Sequence, residues 1–201
     1  ILSMSKMFLL NRLSNYTVDN NESFCFLFPT ELLFEGFIGG FMQDVLSEYG
    51  AKVKLQQSEM HLIEDVIYGE RSLGAAFTMR HDILVETKNK IFILDTKYKQ
   101  VSRFEGNDEE VMRVVREEPK QTDIYQVCEY ARKRGIQDAY LLYPMYRYED
   151  RETIFPVGIS PSPSGDIRIH FIRVPFVFEE DSEKMKEQLK SIILDIIGID
   201  A

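Results

Sequence analysis

Ile91-Phe92-Ile93-Leu94-Asp95-Thr96-Lys97 decides how this chain folds: four apolar residues in unbroken succession, then a carboxylate, a hydroxyl and an ammonium. An unbroken apolar run suits a strand covered on both faces, so the charges at its end sit at the rim of a core. Side chains two apart on a strand share a face; Asp95 and Lys97 therefore project together while Thr96 faces the other way. A second run, Ile83-Leu84-Val85, follows Asp82, and the polar Lys88-Asn89-Lys90 lies between the two runs. Asn tolerates a left-handed backbone, so this segment reads as the turn of a hairpin that folds Asp82 back towards Asp95. Two close carboxylates repel unless a proton or a cation is shared between them. Hard oxygen ligands, few in number and leaving room for water and phosphate, suit Mg²⁺, with Mn²⁺ as a substitute. A neighbouring Lys can stabilise charge on a phosphate or help activate water. Alone, Asp-x-Lys is a weak signal, because strand ends often carry charges that simply reach solvent. The apolar run before it and the added Asp82 give it weight.

Upstream, Thr30 is read as the N-cap of a helix whose apolar positions Phe34, Phe37, Ile38, Phe41, Val45 and Leu46 keep helical spacing. Glu35 flanks that stripe, where a carboxylate is as a rule merely solvated. Gly36 lowers helix propensity, which suggests close approach of something to this face. Downstream, Asp123 to Ala131 forms a second helix, with Gln126 and Tyr130 four apart and so on one face. Gly135 is its C-cap, and Ala139-Tyr140-Leu141-Leu142-Tyr143-Pro144 reads as a buried strand stopped by proline.

The order is helix with Glu35, strand with Asp82, strand with Asp95 and Lys97, helix with Gln126, strand. In that order the segments Leu33-Phe34-Glu35-Gly36-Phe37, Arg80-His81-Asp82-Ile83-Leu84-Val85, Ile93-Leu94-Asp95-Thr96-Lys97-Tyr98-Lys99, Asp123-Ile124-Tyr125-Gln126 with Tyr130-Ala131, and Leu141-Leu142-Tyr143-Pro144 span most of the chain. The sequence resembles the PD-(D/E)XK nuclease superfamily and, more closely, McrC, the nuclease subunits of McrBC modification-dependent restriction systems. The resemblance implies an α/β, restriction-endonuclease-like core with a central mixed sheet flanked by helices. It implies Asp82, Asp95 and Glu35 as metal ligands, a phosphate- or water-activating Lys97, and a site-supporting Gln126 in a Gln-x-x-x-Tyr element. The implied activity is Mg²⁺-dependent endonucleolytic cleavage of modified, methylcytosine-type DNA in prokaryotic defence, in the cytoplasm. The implied partners are DNA, a McrB-like AAA+ GTPase ring and a second nuclease copy for double-strand cleavage. The family's signature has Pro before the first Asp, where this chain has His81. That proline fixes φ and ligates nothing, so its loss removes no chemistry. His81 either reaches the metal's surroundings or a DNA phosphate, or is a partly exposed imidazole at a strand start.

Composition agrees. At 201 residues and 44% hydrophobic content with no polar linker, a single nuclease domain over 1–201 is expected. Residues 1–22 are read as a leading helix and linker, and a chain opening on Ile1 reads as the C-terminal part of a longer one. No apolar run is long enough for a bilayer, so no membrane partner is expected. Cys25 and Cys128 lack metal spacing and suit a reducing compartment; His61, His81 and His170 are scattered, against a zinc site.

A net charge of −9 is awkward for DNA binding, which draws affinity from neutralised phosphates. Basic residues do gather locally: Lys88, Lys90, Lys97, Lys99 and Arg103 surround the single acid Asp95, and Arg132-Lys133-Arg134 ends the Gln126 helix. Lys99, Arg103, His81 and Tyr130 are the candidate DNA contacts. Such a chain touches DNA locally and leaves the gripping to a partner. The resemblance assigns nucleotide hydrolysis to that partner, and no Gly-x-x-x-x-Gly-Lys-Ser/Thr loop occurs here. The polar stretch Ser102 to Gln121 holds a short helix at Glu109 to Glu117. Strands over Thr153–Ile159 and Gly165–Pro175 and a terminal helix over Ser182–Ile197 complete the chain. A stand-alone repair or junction nuclease, or an inactive DNA-binding or assembly module of the same fold, are the other readings.

Overall fold

The computed structural model describes residues 15–18, 21–24, 29–102, 106–145, 157–161, 165–176 and 182–199. In chain order the elements are β1 (Asn15–Val18), β2 (Asn21–Phe24), α1 (Thr30–Ser47), β3 (Lys52–Ile63), β4 (Ile67–Tyr68), β5 (Arg71–Ser72), β6 (Ala76–Glu86) and β7 (Ile91–Thr96). There follow α2 (Asp108–Glu117), α3 (Gln121–Arg134), β8 (Asp138–Met145), β9 (Val157–Ile159), β10 (Arg168–Pro175) and α4 (Ser182–Ile197). Six strands form one mixed sheet in the order β3-β6-β7-β8-β10-β9. β7, β8 and β10 run parallel, and the outer pairings are antiparallel. Parallel neighbours need a crossover; α2 and α3 supply it between β7 and β8.

Strand alternation divides the core between the two faces. Ile83, Val85, Phe92, Leu94, Leu142 and Val174 meet α1 and α4, while Leu84, Ile93, Leu141, Tyr143 and Phe171 meet α3 and Val114 of α2. The two-sided burial expected of Ile91 to Leu94 is present at Phe92, Ile93 and Leu94, and the β6–β7 hairpin pairs Ile83 with Leu94.

Several local expectations are corrected. Residues 15–18 and 21–24 pair as antiparallel strands rather than continuing a leading helix over 1–22; Tyr16, Thr17 and Val18 are β-formers. Residues 1–14 lie outside the described residues, as do Cys25 and Arg103. Thr30 is the first helical residue and Pro29 the N-cap, without a side-chain cap bond. Asn89 does not take a positive φ. The 87–90 loop is closed by Thr87 instead, whose hydroxyl accepts from the Lys90 N–H and donates to the Lys90 carbonyl, at 3.0 Å each. Pro144 does not stop β8 but pairs with Val174. The last backbone bond from the β7 side is Lys97 N–H to the Leu142 carbonyl, so at Pro144 that flank is an edge, where proline is tolerated. Close approach to α1 occurs at Gly39, whose Cβ would stand 2.7 Å from Leu55 Cδ2, and not at Gly36, where a Cβ meets nothing within 4 Å. Gly135 is the left-handed cap expected, at φ 64°.

Candidate active site

The site forms where the β6–β7 ladder ends. Beyond the Ile83–Leu94 pair no backbone pairing is recorded, and the Asp82 side chain takes over. Its Oδ2 accepts from the Thr96 N–H at 2.8 Å and from the Thr96 hydroxyl at 3.0 Å. Asp82 is thereby fixed against the end of β7. Thr96, read from periodicity as pointing away, is what holds it there.

Asp95 follows Ile93 by two residues and so lies on the α3 face, 1% exposed. Neither of its oxygens receives a well-formed hydrogen bond, although Lys97 Nζ lies 2.5 Å from Oδ2. Burial, and then the Asp82 carboxylate, push the Asp95 carboxyl up to about 7 against the pull of Lys97. Burial alone would depress Lys97; the Asp95 carboxylate foremost, with Asp123 and Asp82, outweighs it and leaves the ammonium above its usual range. Lys97 is therefore a standing cation at neutral pH.

From Lys97 a line of hydrogen bonds crosses to α3 and returns to β6. Lys97 Nζ donates to Gln126 Oε1 at 3.3 Å, Gln126 Nε2 to the Tyr130 hydroxyl at 2.7 Å, and that hydroxyl to the Arg80 carbonyl at 2.8 Å. These bonds fix which end of the Gln126 amide faces Lys97. Tyr130 is buried and its hydroxyl is engaged within this line. The expectation for His81 is corrected. It sits within β6, fully buried, with Nδ1 3.3 Å from the Gln57 carbonyl, Arg134 Nε 3.4 Å from Nε2, and the Tyr130 ring 4.5 Å away. Burial, then Arg134, lower its pKa, which keeps it neutral. It does not reach solvent.

Glu31, Glu35, Asp82, Thr96, Lys97, Lys99, Lys120 and Asp123 are among the residues lining one cleft of about 290 Å³. Glu35 does face it, held by Gln56 Nε2 at 2.9 Å. Gln56 adopts φ 52° beside the β-bulge of β3. The Phe34, Tyr98 and Phe176 rings, at 5.0–6.0 Å between centroids, tie α1 to the chain after Lys97 and so set where Glu35 stands. Lys99 lines the cleft and donates to the Glu118 carbonyl; burial lowers its pKa.

The basic stripe divides. Lys88 and Lys90 lie at the hairpin turn, a six-residue strand or roughly 20 Å from Lys97, because a hairpin sends sequence neighbours to opposite ends. Arg134 joins Lys90 there, around a separate cavity of about 270 Å³. Lys97, Lys99 and Lys120 stay at the cleft. Lys120, which the sequence offers with Arg113 and Arg116 as a residue that could line a DNA groove, immediately precedes α3 and lines the cleft. The sequence reading missed two groups. Asp123 reads as an ordinary first-turn acid of α3, yet it faces Lys97 and Lys99. Tyr143, in the noted Leu-Leu-Tyr-Pro segment, is fully buried with an unpartnered hydroxyl, its phenol raised by burial and then by Asp123 and Asp95.

The donor set suits a hard divalent cation: two mutually repelling carboxylates, one of them buried, at an open cleft lined by the other. Among the described residues no three His, Cys, Asp or Glu side chains stand close enough together to hold an ion, so the structure does not gather Asp82, Asp95 and Glu35 into one ligand cluster. Nor is any described helix long and apolar enough to cross a membrane.

Comparison with known proteins gives a match to the family model for the McrBC 5-methylcytosine restriction system component over residues 1–144. No curated protein matches. Among solved structures, a refined half-complex from the tetradecameric assembly of Thermococcus gammatolerans McrB AAA+ hexamers with bound McrC contains a chain similar over 84% of this one, at 15% identity and TM-score 0.50. The present chain spans 34% of the length of that one, and at this identity the likeness concerns the fold alone. A protein of unknown function is similar over 81% of this chain and 66% of its own, at 11% identity and TM-score 0.34, too remote to carry an argument.

Proposed function

The chain belongs to the family of McrBC 5-methylcytosine restriction system components, and from that premise we propose that it is the McrC-like, metal-dependent DNA nuclease subunit of such a system, with a PD-(D/E)XK site at Asp82, Asp95 and Lys97. One observation carries this reading: a carboxylate 1% exposed that stays raised to about 7 by its burial and by Asp82, even with Lys97 Nζ 2.5 Å from its Oδ2. Such a group stays costly in a fold until a further cation relieves it. Asp82 and Asp95 would hold Mg²⁺, or Mn²⁺ in its place, and Glu35, which lines the same cleft as Asp82, is the further candidate ligand. Two or three carboxylates, with water and substrate phosphate completing the shell, are the usual Mg²⁺ arrangement. The bound ion would polarise the scissile phosphate and lower the pKa of a water.

The chain's own residues supply the remainder. Lys97, kept protonated by its carboxylate neighbours, stabilises charge on the phosphate as a cation and not as a base. Gln126, oriented by Tyr130, keeps the ammonium aimed into the cleft. Thr96 keeps Asp82 from swinging away. Lys99 and Lys120 meet the phosphate backbone.

With a net charge of −9 and so few cleft cations, DNA capture falls to a partner. We assign that role to a McrB-like AAA+ ring that hydrolyses GTP and delivers modified DNA, with a second copy of the nuclease cutting the other strand. Cleavage assays on the full-length protein, with and without ring and GTP, test both levels. Mg²⁺-dependent cutting should vanish in Asp95→Ala and require the ring. Wild-type rates in Asp95→Ala would remove the site assignment. Rapid double-strand cutting by the chain alone without nucleotide would replace the restriction reading with a stand-alone nuclease.

A further inference from the structure

A third cavity, of about 800 Å³, opens beside α3, with Phe77, Met79, Tyr125, Gln126 and Tyr130 in its wall. Phe77 is 74% exposed and Tyr125 62%, so neither ring is there to fill the core. Phe77 also adopts φ 58°, a left-handed backbone that a bulky residue rarely takes and that persists only where the surroundings impose it. Strain combined with exposure is unexplained by packing and marks a position kept for contact. The Tyr125 phenol is braced by Gln121 Nε2 at 2.5 Å. Glu129 and Arg132, the charged groups of the wall, neutralise each other at 2.8 Å, so the cavity suits a flat, uncharged ring and not a phosphate or an acidic peptide. Gln126 joins it to the cleft, since the same side chain lines the cavity and accepts from Lys97.

We infer that the Phe77–Tyr125 cavity is a nucleobase subsite, which stacks an unpaired base of the DNA strand whose phosphate lies at Lys97. The inference rests on the nuclease reading of Asp82, Asp95 and Lys97. Stacking on aromatic side chains is tolerant of base identity and contributes appreciable affinity per base, so the subsite would hold a strand locally opened at the cut and would not read sequence.

The test uses the full-length protein, with its ring partner, and gapped or single-stranded oligonucleotides carrying 2-aminopurine at the unpaired position. Binding to the wild type should quench the probe. Phe77→Ala and Tyr125→Ala should each abolish the quench and weaken binding about 10-fold. The salt dependence should stay unchanged, because stacking releases no counterions. Phe77→Trp should restore both signals, and circular dichroism should match the wild type throughout, as expected for exposed positions. If the wild type binds and cuts DNA while both Ala variants bind unpaired DNA with full quench, the subsite falls and the nuclease reading stands. If the variants keep DNA binding but lose the ring or a second copy, the cavity is a protein-docking face and the inference is overturned. If the wild type neither binds nor cuts DNA, both readings fall together.

Discussion

Asp95→Asn should make the metal-free protein more stable, by an amount that grows with pH. A buried Asn is nearly isosteric with a protonated Asp and carries no charge. What it forfeits is the ionic contact of Oδ2 with Lys97 Nζ at 2.5 Å. The sign follows from the raised carboxyl. Between pH 3.8 and about 7 the native protein retains a proton that the unfolded chain has released, so stability falls as pH rises through that window. A rise of about three pH units corresponds to a cost of about 4 kcal/mol once Asp95 is ionised. The advantage of Asp95→Asn should therefore be near zero at pH 4, increase towards pH 7 and level off above it. Lys97 loses its closest partner in the variant but still faces Asp82 and Asp123, which limits the opposing loss. Urea unfolding in the presence of a chelator, at a series of pH values, measures the difference directly. Adding Mg²⁺ should then stabilise the wild type at pH 8 and leave Asp95→Asn nearly unmoved. A wild type whose stability is flat from pH 4 to 8, or an Asn variant less stable at pH 8, would refute the claim that Asp95 is held as a repelled, unsatisfied charge.

Other substitutions separate site from scaffold. Gln126→Ala should slow cleavage severalfold while unfolding within about 1 kcal/mol of the wild type, whereas Cys128→Ser, on the buried side of the same helix, should cost about 1–2 kcal/mol and leave cleavage intact; the opposite ranking in paired melts and rate assays would make Gln126 merely structural. Thr96→Val removes one of the two bonds on Asp82 and should weaken Mg²⁺ about 10-fold by calorimetry, with unchanged affinity counting against Thr96 as its anchor. Gly36→Ala should raise stability by about 1 kcal/mol, because the added methyl meets nothing and glycine is a poor helix former; a lower melting temperature would mean that this face is covered after all.

What could be read from the sequence was what strand and helix periodicity alone determine. Ile91 to Lys97 showed a two-sided strand with Asp95 and Lys97 on one side, and the spacing of Gln126 and Tyr130 put them on one face of a helix capped at Gly135. The terminal helix was bounded correctly because its apolar pattern is regular. Contacts that depend on how elements meet were invisible. Asp123 lies near Lys97 only because α3 lies across the strand ends, and Tyr143 because β8 runs parallel to β7. The place of His81 follows from how β6 meets β3 and α3, which no single-strand pattern records. Positive φ at Gln56 and Phe77 opposes local preference, so no propensity records it. The run of basic residues from Lys88 to Lys99 misled for a simple reason: proximity along a hairpin is not proximity in space.

The two oxygens of Asp82 are not equivalent. Oδ2 already accepts from the amide and the hydroxyl of Thr96, in effect a side chain standing in for the missing next rung of the ladder. Oδ1 is left with the task of meeting a ligand, so Asp82 would bind a cation through one oxygen, in a plane set by the peptide of β7. The middle residue of Asp-Thr-Lys thus acts as a protractor. It fixes the direction in which the Asp82 carboxylate points and makes that direction a property of the sheet's twist.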